Sequence, residues 1–202
     1  MVSDVLVSGL SEQLRDLHII PFDTVRSDII QGLAEDLDDC GFRVSIESSH
    51  SPPSMAFNQQ KQKYLADEML DYLRCEAGGR VLGVVSDDIC RYVLNSIKGT
   101  ADFVGRAAVI SLCQLDKAGM QEMLRRRMCK LALHELGHTF GFAHCSDQNC
   151  VMHDAPSLKL WDIATDEFCS CCARWFETNP YRKFLFNTQT ESGECGALMP
   201  AK

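Results

Sequence analysis

Positive charge is scarce in this chain of 202 residues: 20 Lys and Arg stand against 28 Asp and Glu, a formal net charge of -8 with the histidines neutral. Surfaces that condense on phosphate backbones or anionic lipid need basic patches, so this balance argues against nucleic acid and membranes as partners. The run Arg125, Arg126, Arg127 is the one basic cluster, and it reads as a solvated helix face. Long apolar runs are missing too. No segment approaches membrane-spanning length, and the N-terminus MVSDVLVSGLS carries Asp4 with no basic lead-in and no secretory h-region. A soluble, cytoplasmic protein is expected. Repeats and low-complexity blocks are also absent, and 46% hydrophobic with 24% charged residues is an ordinary globular composition, sufficient for one core.

What the chain has in excess is cysteine, 11 in all. Without a signal peptide, cysteines read better as metal ligands and small buried apolar residues than as disulfides. Cys145 and Cys150 are four residues apart and Cys169 and Cys172 two, giving two thiolate pairs about twenty residues apart, the layout of a structural tetrathiolate zinc site. The sequence CSCC leaves Cys171 as another choice for the last ligand, and the two-residue gap favours Cys172. Cys40, Cys75, Cys90, Cys113, Cys129 and Cys195 are expected to be buried or incidental.

Hydrophobic periodicity outlines the fold. A strand at Leu17–Pro21 precedes a helix carrying Val25, Ile29, Ile30, Leu33, Ala34 and Leu37 up to Gly41. A strand at 43–48 and a Pro/Ser loop at 48–54 follow. Leu65, Met69, Tyr72 and Leu73 then mark a helix stopped by Gly78 and Gly79, before a strand at 80–86. This β-α-β-α-β order predicts an α/β fold with a mixed, mostly parallel twisted sheet and helices packed on it. Residues 87–105 read as loop with a hairpin. Ala107–Leu112 is a strand, and 119–140 a long helix with Met120, Met123, Leu124, Met128, Leu131, Ala132 and Leu136 at 3/4 spacing. Residues 145–186 lack periodic structure, and the tail 187–202 is expected to be flexible.

The long helix carries HELGHTFGFAHC, residues 134–145. At this chain's composition an HExxH match arises by chance in about one such sequence in a hundred. Adding Gly and His at their observed offsets lowers that to roughly one in fifty thousand, so scattered histidines do not explain the motif. His134 and His138, at i and i+4, share one helix face and can grip one ion. On a continuing helix His144 would sit about 9 Å beyond His138 and could not reach it. Gly141 can take positive φ, end the helix and turn the chain so that His144 approaches the same ion. Three imidazoles with an open fourth position for water describe catalytic zinc. Glu135 is placed to take the proton from that water and return it to a leaving amine, which is amide hydrolysis.

HExxHxxGxxH followed directly by Cys, then four residues, CxM and a later CxxC resembles the archaemetzincin branch of the metzincin zinc metallopeptidases; the bare histidine pattern is the metzincin example in general use. The resemblance is strongest over 107–175. It implies one catalytic domain over 1–202, with an upper subdomain (1–141), a small zinc-stabilised lower subdomain (142–186) and the tail. It also implies two zinc ions, one catalytic and one structural, and a peptide or protein substrate. Met152 would lie beneath the catalytic zinc. The strand before the active-site helix, Ala107, Ala108, Val109, Ile110, Ser111 and Leu112, would be an antiparallel sheet edge to which an extended substrate adds as a further strand.

Two features depart from the wider clan. His153 and Asp154 stand where several branches have an oxyanion-holding tyrosine, with Tyr181 remote. No prosegment with a cysteine switch is apparent, so no zymogen control is expected. The competing readings are a zinc-binding peptide-recognition scaffold without turnover, against which Glu135 argues, and an aminopeptidase rather than an endopeptidase. Cys145 adjoins His144, so one peptide unit carries a ligand of each site, and the two sites are expected to be mechanically coupled.

Overall fold

A computed structural model describes residues 15–178 apart from 24, 77, 116–120 and 156. Its main sheet has five strands: β1 (Asp16–Pro21), β2 (Arg43–Ile46), β5 (Arg80–Val85), β7 (Gly99–Ala101) and β8 (Ala107–Ser111), in the order β2-β1-β5-β8-β7. The first four neighbours run parallel and only β7 is antiparallel. Between them lie β3 (Phe57–Asn58), β4 (Lys63–Leu65) and β6 (Ile89–Cys90), which make a small second sheet.

Helices cover both faces. Along β1, β5 and β8 the side chains alternate: Leu17, Ile19, Leu82, Val84, Ala108 and Ile110 join the core under α1 (Ser27–Asp39) and α3 (Gln121–Thr139). Ile20, Val81, Val85, Ala107 and Val109 join the core under α2 (Ala66–Cys75). A strand covered on both faces needs apolar residues at every position, which is why β5 and β8 are buried throughout. Among the described residues no helix is long and apolar enough to cross a membrane.

Glycine ends two of these helices in the same way. Gly41 has φ 91° and Gly141 φ 89°. In each case the next residue's N–H reaches five back, Phe42 to the Leu37 carbonyl and Phe142 to the Gly137 carbonyl, both at 3.1 Å. The glycine N–H bonds three back, completing a Schellman turn that satisfies the last carbonyls.

Several expectations are corrected. Ala107–Ser111 is not the sheet edge: β8 pairs with β5 on one side and β7 on the other. Its AAVIS run is apolar because it is interior, and the antiparallel edge strand is Gly99–Ala101, inside the segment read as loop with a hairpin. Residues 57–65, beside the predicted Pro/Ser loop, hold β3 and β4. The cysteine-rich segment is partly helical, with α4 (Leu158–Ile163) and α5 (Ser170–Thr178). The arginine run is not one solvated face: Arg125 pairs with Asp36, while Arg127 is buried and forks onto Asp162 with two 2.7 Å bonds. Gly119, Met120, Tyr181, Cys195 and the tail 187–202 lie outside the described residues.

Candidate metal centre

The turn at Gly141 brings the three histidines together, their ligand nitrogens all within 4.8 Å of one another. His134 and His138 come from the last two turns of α3, and His144 from the loop beyond, with half its side chain exposed. Backbone carbonyls orient the first two rings. Nδ1 of His134 donates to the Val151 carbonyl (2.8 Å) and Nδ1 of His138 to the Phe142 carbonyl (2.7 Å). Both Nε2 atoms are therefore left with lone pairs, and these face each other at 3.2 Å. Neither can donate to the other, and burial keeps both rings neutral, with the His134 pKa pushed down to about 4 and that of His138 lowered. Two facing lone pairs repel unless a cation lies between them. Tetrahedral ligands about 2.0–2.1 Å from a zinc ion stand roughly 3.3 Å apart, so the site fits that ion.

Glu135 lies beside this cluster on α3 and is buried. Burial pushes its pKa up to about 8, with Arg91 and Lys98 acting the other way and Asp154 adding to the rise. Its carboxylate is packed under the edge strand: a Cβ on Gly99 would stand 2.7 Å from Oε1 and 2.9 Å from Cγ. Glycine at 99 lets the strand lie directly on the carboxylate. Met152, also buried, packs its sulfur on the Cα of Gly137, between the two helical histidines, where any Cβ would collide with it. A glycine inside a helix costs stability, so Gly137 in HELGH was a readable signal of close approach that the spacing argument passed over.

The second cluster joins Cys145, Cys150, Cys169 and Cys172, all Sγ atoms within 4.8 Å. Cys171 is exposed and outside the group. Cys145–Cys169 and Cys150–Cys172 sulfur separations are both 3.7 Å, against roughly 3.8 Å for thiolates 2.3 Å from a tetrahedral zinc. Backbone N–H groups of Asp147 and Cys169 point at the Cys145 and Cys150 sulfurs (3.5 and 3.4 Å). Of the other cysteines, Cys90 and Cys129 are buried, while Cys75 and Cys113 are exposed.

The clusters share their supports. Val151 and Met152 follow Cys150 directly, the Met152 carbonyl accepts from the Cys145 N–H (2.8 Å), and His153 donates to the Cys145 carbonyl (3.0 Å). On the far side, the Trp161 ring meets His134 edge-on at 5.6 Å. Trp161 is held by two basic residues of α3: Lys130 donates to the Trp161 (2.7 Å) and Ala164 carbonyls, and Arg127 grips Asp162. Neither Trp161 nor these clamps could be found from spacing, since they join segments about thirty residues apart in sequence.

The model of peptidase family M54 matches residues 29–178. An archaemetzincin of Pyrococcus abyssi is 33% identical over 182 residues, covering 83% of this chain and 97% of that one. One of Methanopyrus kandleri is 40% identical over 129 residues, 63% of this chain and 73% of the relative. The crystal structure of archaemetzincin from M. kandleri superposes with TM-score 0.72 at 34% identity, covering 81% of this chain and 94% of that one. That from Archaeoglobus fulgidus, complexed with malonate, superposes with TM-score 0.73 at 30% identity over 79% of this chain and 98% of that one. With the family model spanning both clusters, the chain belongs to peptidase family M54, the archaemetzincins, and is a zinc metallopeptidase.

Proposed function

We propose that the protein is an endopeptidase in which His134, His138 and His144 hold the catalytic zinc, Glu135 handles the proton, and Cys145, Cys150, Cys169 and Cys172 hold a second, structural zinc. The observation that carries this reading is the pair of opposed imidazole lone pairs 3.2 Å apart beside a buried carboxylate, an arrangement that has no stable use without a cation. Zinc bound there supplies an acidified water and a Lewis acid for the scissile carbonyl. Glu135 accepts a proton from the attacking water and passes it to the leaving amine; a pKa near the working pH suits both halves of that transfer. Burial raises this carboxyl, and a divalent cation beside it would lower it again by favouring the ionised form. Gly99 fixes where the carboxylate stands, Met152 fills the space under the helical histidines, and Trp161 walls off His134.

The free side of β7 offers backbone groups to an extended peptide, which pairs without reading a chain terminus; this favours internal cleavage. In the same reading, the sheet and active-site helix up to Gly141 form an upper half and the cysteine-bearing segment after it a lower half. An unbiased peptide-library digest tests the function. Cleavage of N-acetylated peptides, abolished by Glu135→Ala, is the expected result. Products only from free N-termini would make the protein an aminopeptidase, and undiminished cleavage by Glu135→Ala would remove the proposed role of the carboxylate.

A further inference from the structure

Lys98 directly precedes Gly99, the residue that lies against Glu135. Its backbone is fixed, because its carbonyl accepts from the Ser111 N–H at 2.7 Å and the neighbouring Ile97 N–H bonds to Ile89 at 3.0 Å. The loop leading to it is held by two other lysines. Lys61 Nζ donates to the Arg91 and Tyr92 carbonyls (2.8 and 2.9 Å), and Lys63 Nζ to the Asn95 carbonyl (2.8 Å). From this anchored position the Lys98 ammonium stands 5.9 Å over the Trp161 ring, the same ring that packs on His134. Its charge reaches Glu135, yet among the described residues no carboxylate forms an ion pair with it.

The other cation near Glu135 is already committed. Arg91 donates to Thr100 Oγ1 (2.8 Å) and lies 3.3 Å from Asp67. Lys61 and Lys63 are likewise used, Lys63 also pairing with Asp88 at 2.8 Å. Lys98 is thus a partly exposed cation, carried by the segment that enters the edge strand, with an aromatic wall below it and, among the described residues, no hydrogen-bond partner for its ammonium. In a chain of net charge -8 such a cation on the substrate side has a specific consequence. It attracts an anionic group of a bound peptide that the rest of the surface repels.

We propose that Lys98 is a carboxylate receptor of the cleft, so that the enzyme prefers peptides carrying an acidic group near the scissile bond. The inference rests on the peptidase reading and names its substrate class. A solvent-accessible pair of this kind sets a preference of about two- to fivefold.

The test is binding, measured by fluorescence anisotropy on zinc-loaded protein made inactive by Glu135→Ala. Labelled peptides derived from a cleaved sequence carry Glu or Gln at successive positions, and a free or amidated C-terminus, so that side-chain and terminal carboxylates are separated. The quantity read is the ratio of acidic to neutral affinity for each peptide pair. At one position or at the terminus, protein with native Lys98 is expected to favour the acidic partner about two- to fivefold. Lys98→Met should abolish that ratio and Lys98→Glu invert it, with thermal melting confirming that each variant is folded. Ratios unchanged by either substitution overturn the proposal, as does equal weakening of acidic and neutral peptides, which would assign Lys98 to the backbone or the scissile carbonyl. Failure of the native-sequence enzyme to cleave any peptide would instead overturn the peptidase reading itself.

Discussion

Replacing Gly99 by alanine tests the contact between the edge strand and Glu135. The added Cβ would lie 2.7, 2.9 and 3.0 Å from Oε1, Cγ and Cδ of that side chain. Ordinary carbon–oxygen contacts begin near 3.3 Å, so the carboxylate or the strand must yield by roughly 0.6 Å. The carboxylate is buried and β7 is tied to β8 along its length, so the strain is shared between them. Overpacking of this kind costs about 1–3 kcal/mol of stability. A catalytic group misplaced by about 1 Å costs roughly a hundredfold in rate, so a loss of about ten- to a hundredfold is expected, falling on kcat with KM little changed. The three atoms nearest the added Cβ all belong to Glu135, and zinc content should stay at the wild-type level. The assay is steady-state hydrolysis of a library-derived peptide, with zinc measured on the same sample. A kcat within about twofold of wild type, or a rate loss matched by zinc loss, would refute the reasoning.

Three further outcomes follow from the same geometry. Gly141→Ala places a side chain at φ 89°, with its Cβ 3.2 Å from Val104, so it should cost about 1–2 kcal/mol in thermal melts and weaken zinc at the histidines; unchanged affinity would sever the turn from the site. Cys145→Ser should lose the structural ion and loosen the catalytic one, because the Cys145 N–H and carbonyl are tied to Met152 and His153; two ions retained with unchanged affinity at the histidines would contradict the coupling. In zinc-free protein, burial raises the Glu135 carboxyl from 4.5 to about 8, so the folded state holds this proton more tightly than the unfolded chain. Its contribution is fully present below about pH 4.5 and is lost on the way to pH 8 at about 1.4 kcal/mol per unit, and Glu135→Gln should flatten that part of the profile; identical slopes in denaturant melts would refute the assignment.

The sequence made local chemistry readable and long-range contacts unreadable. HExxH is a statement about one helix face and Gly141 about one turn, and both lie within eleven consecutive residues, so spacing alone predicts which side chains can meet. The cysteine pairs were legible for the same reason, each being a short loop with a fixed reach. The edge strand was misplaced because AAVIS is equally apolar whether a strand is interior or an edge carrying the resembled clan's substrate groove. GTA at 99–101 is too short and too plain to announce a strand at all. Its role comes from pairing with β8 and from lying on Glu135, neither of which periodicity records. Arg127 was read as solvated because nothing nearby in sequence discloses Asp162 as its partner.

The central claim is that the Gly141 turn delivers His144 to an ion already held by His134 and His138. Anomalous diffraction at the zinc edge from crystals of zinc-loaded protein tests it most directly. Two peaks are predicted, one about 2.0–2.1 Å from a nitrogen of each of the three histidines and one about 2.3 Å from the sulfurs of Cys145, Cys150, Cys169 and Cys172. A histidine cluster without a peak, or a peak bound by His134 and His138 with the His144 ring turned away, would contradict it.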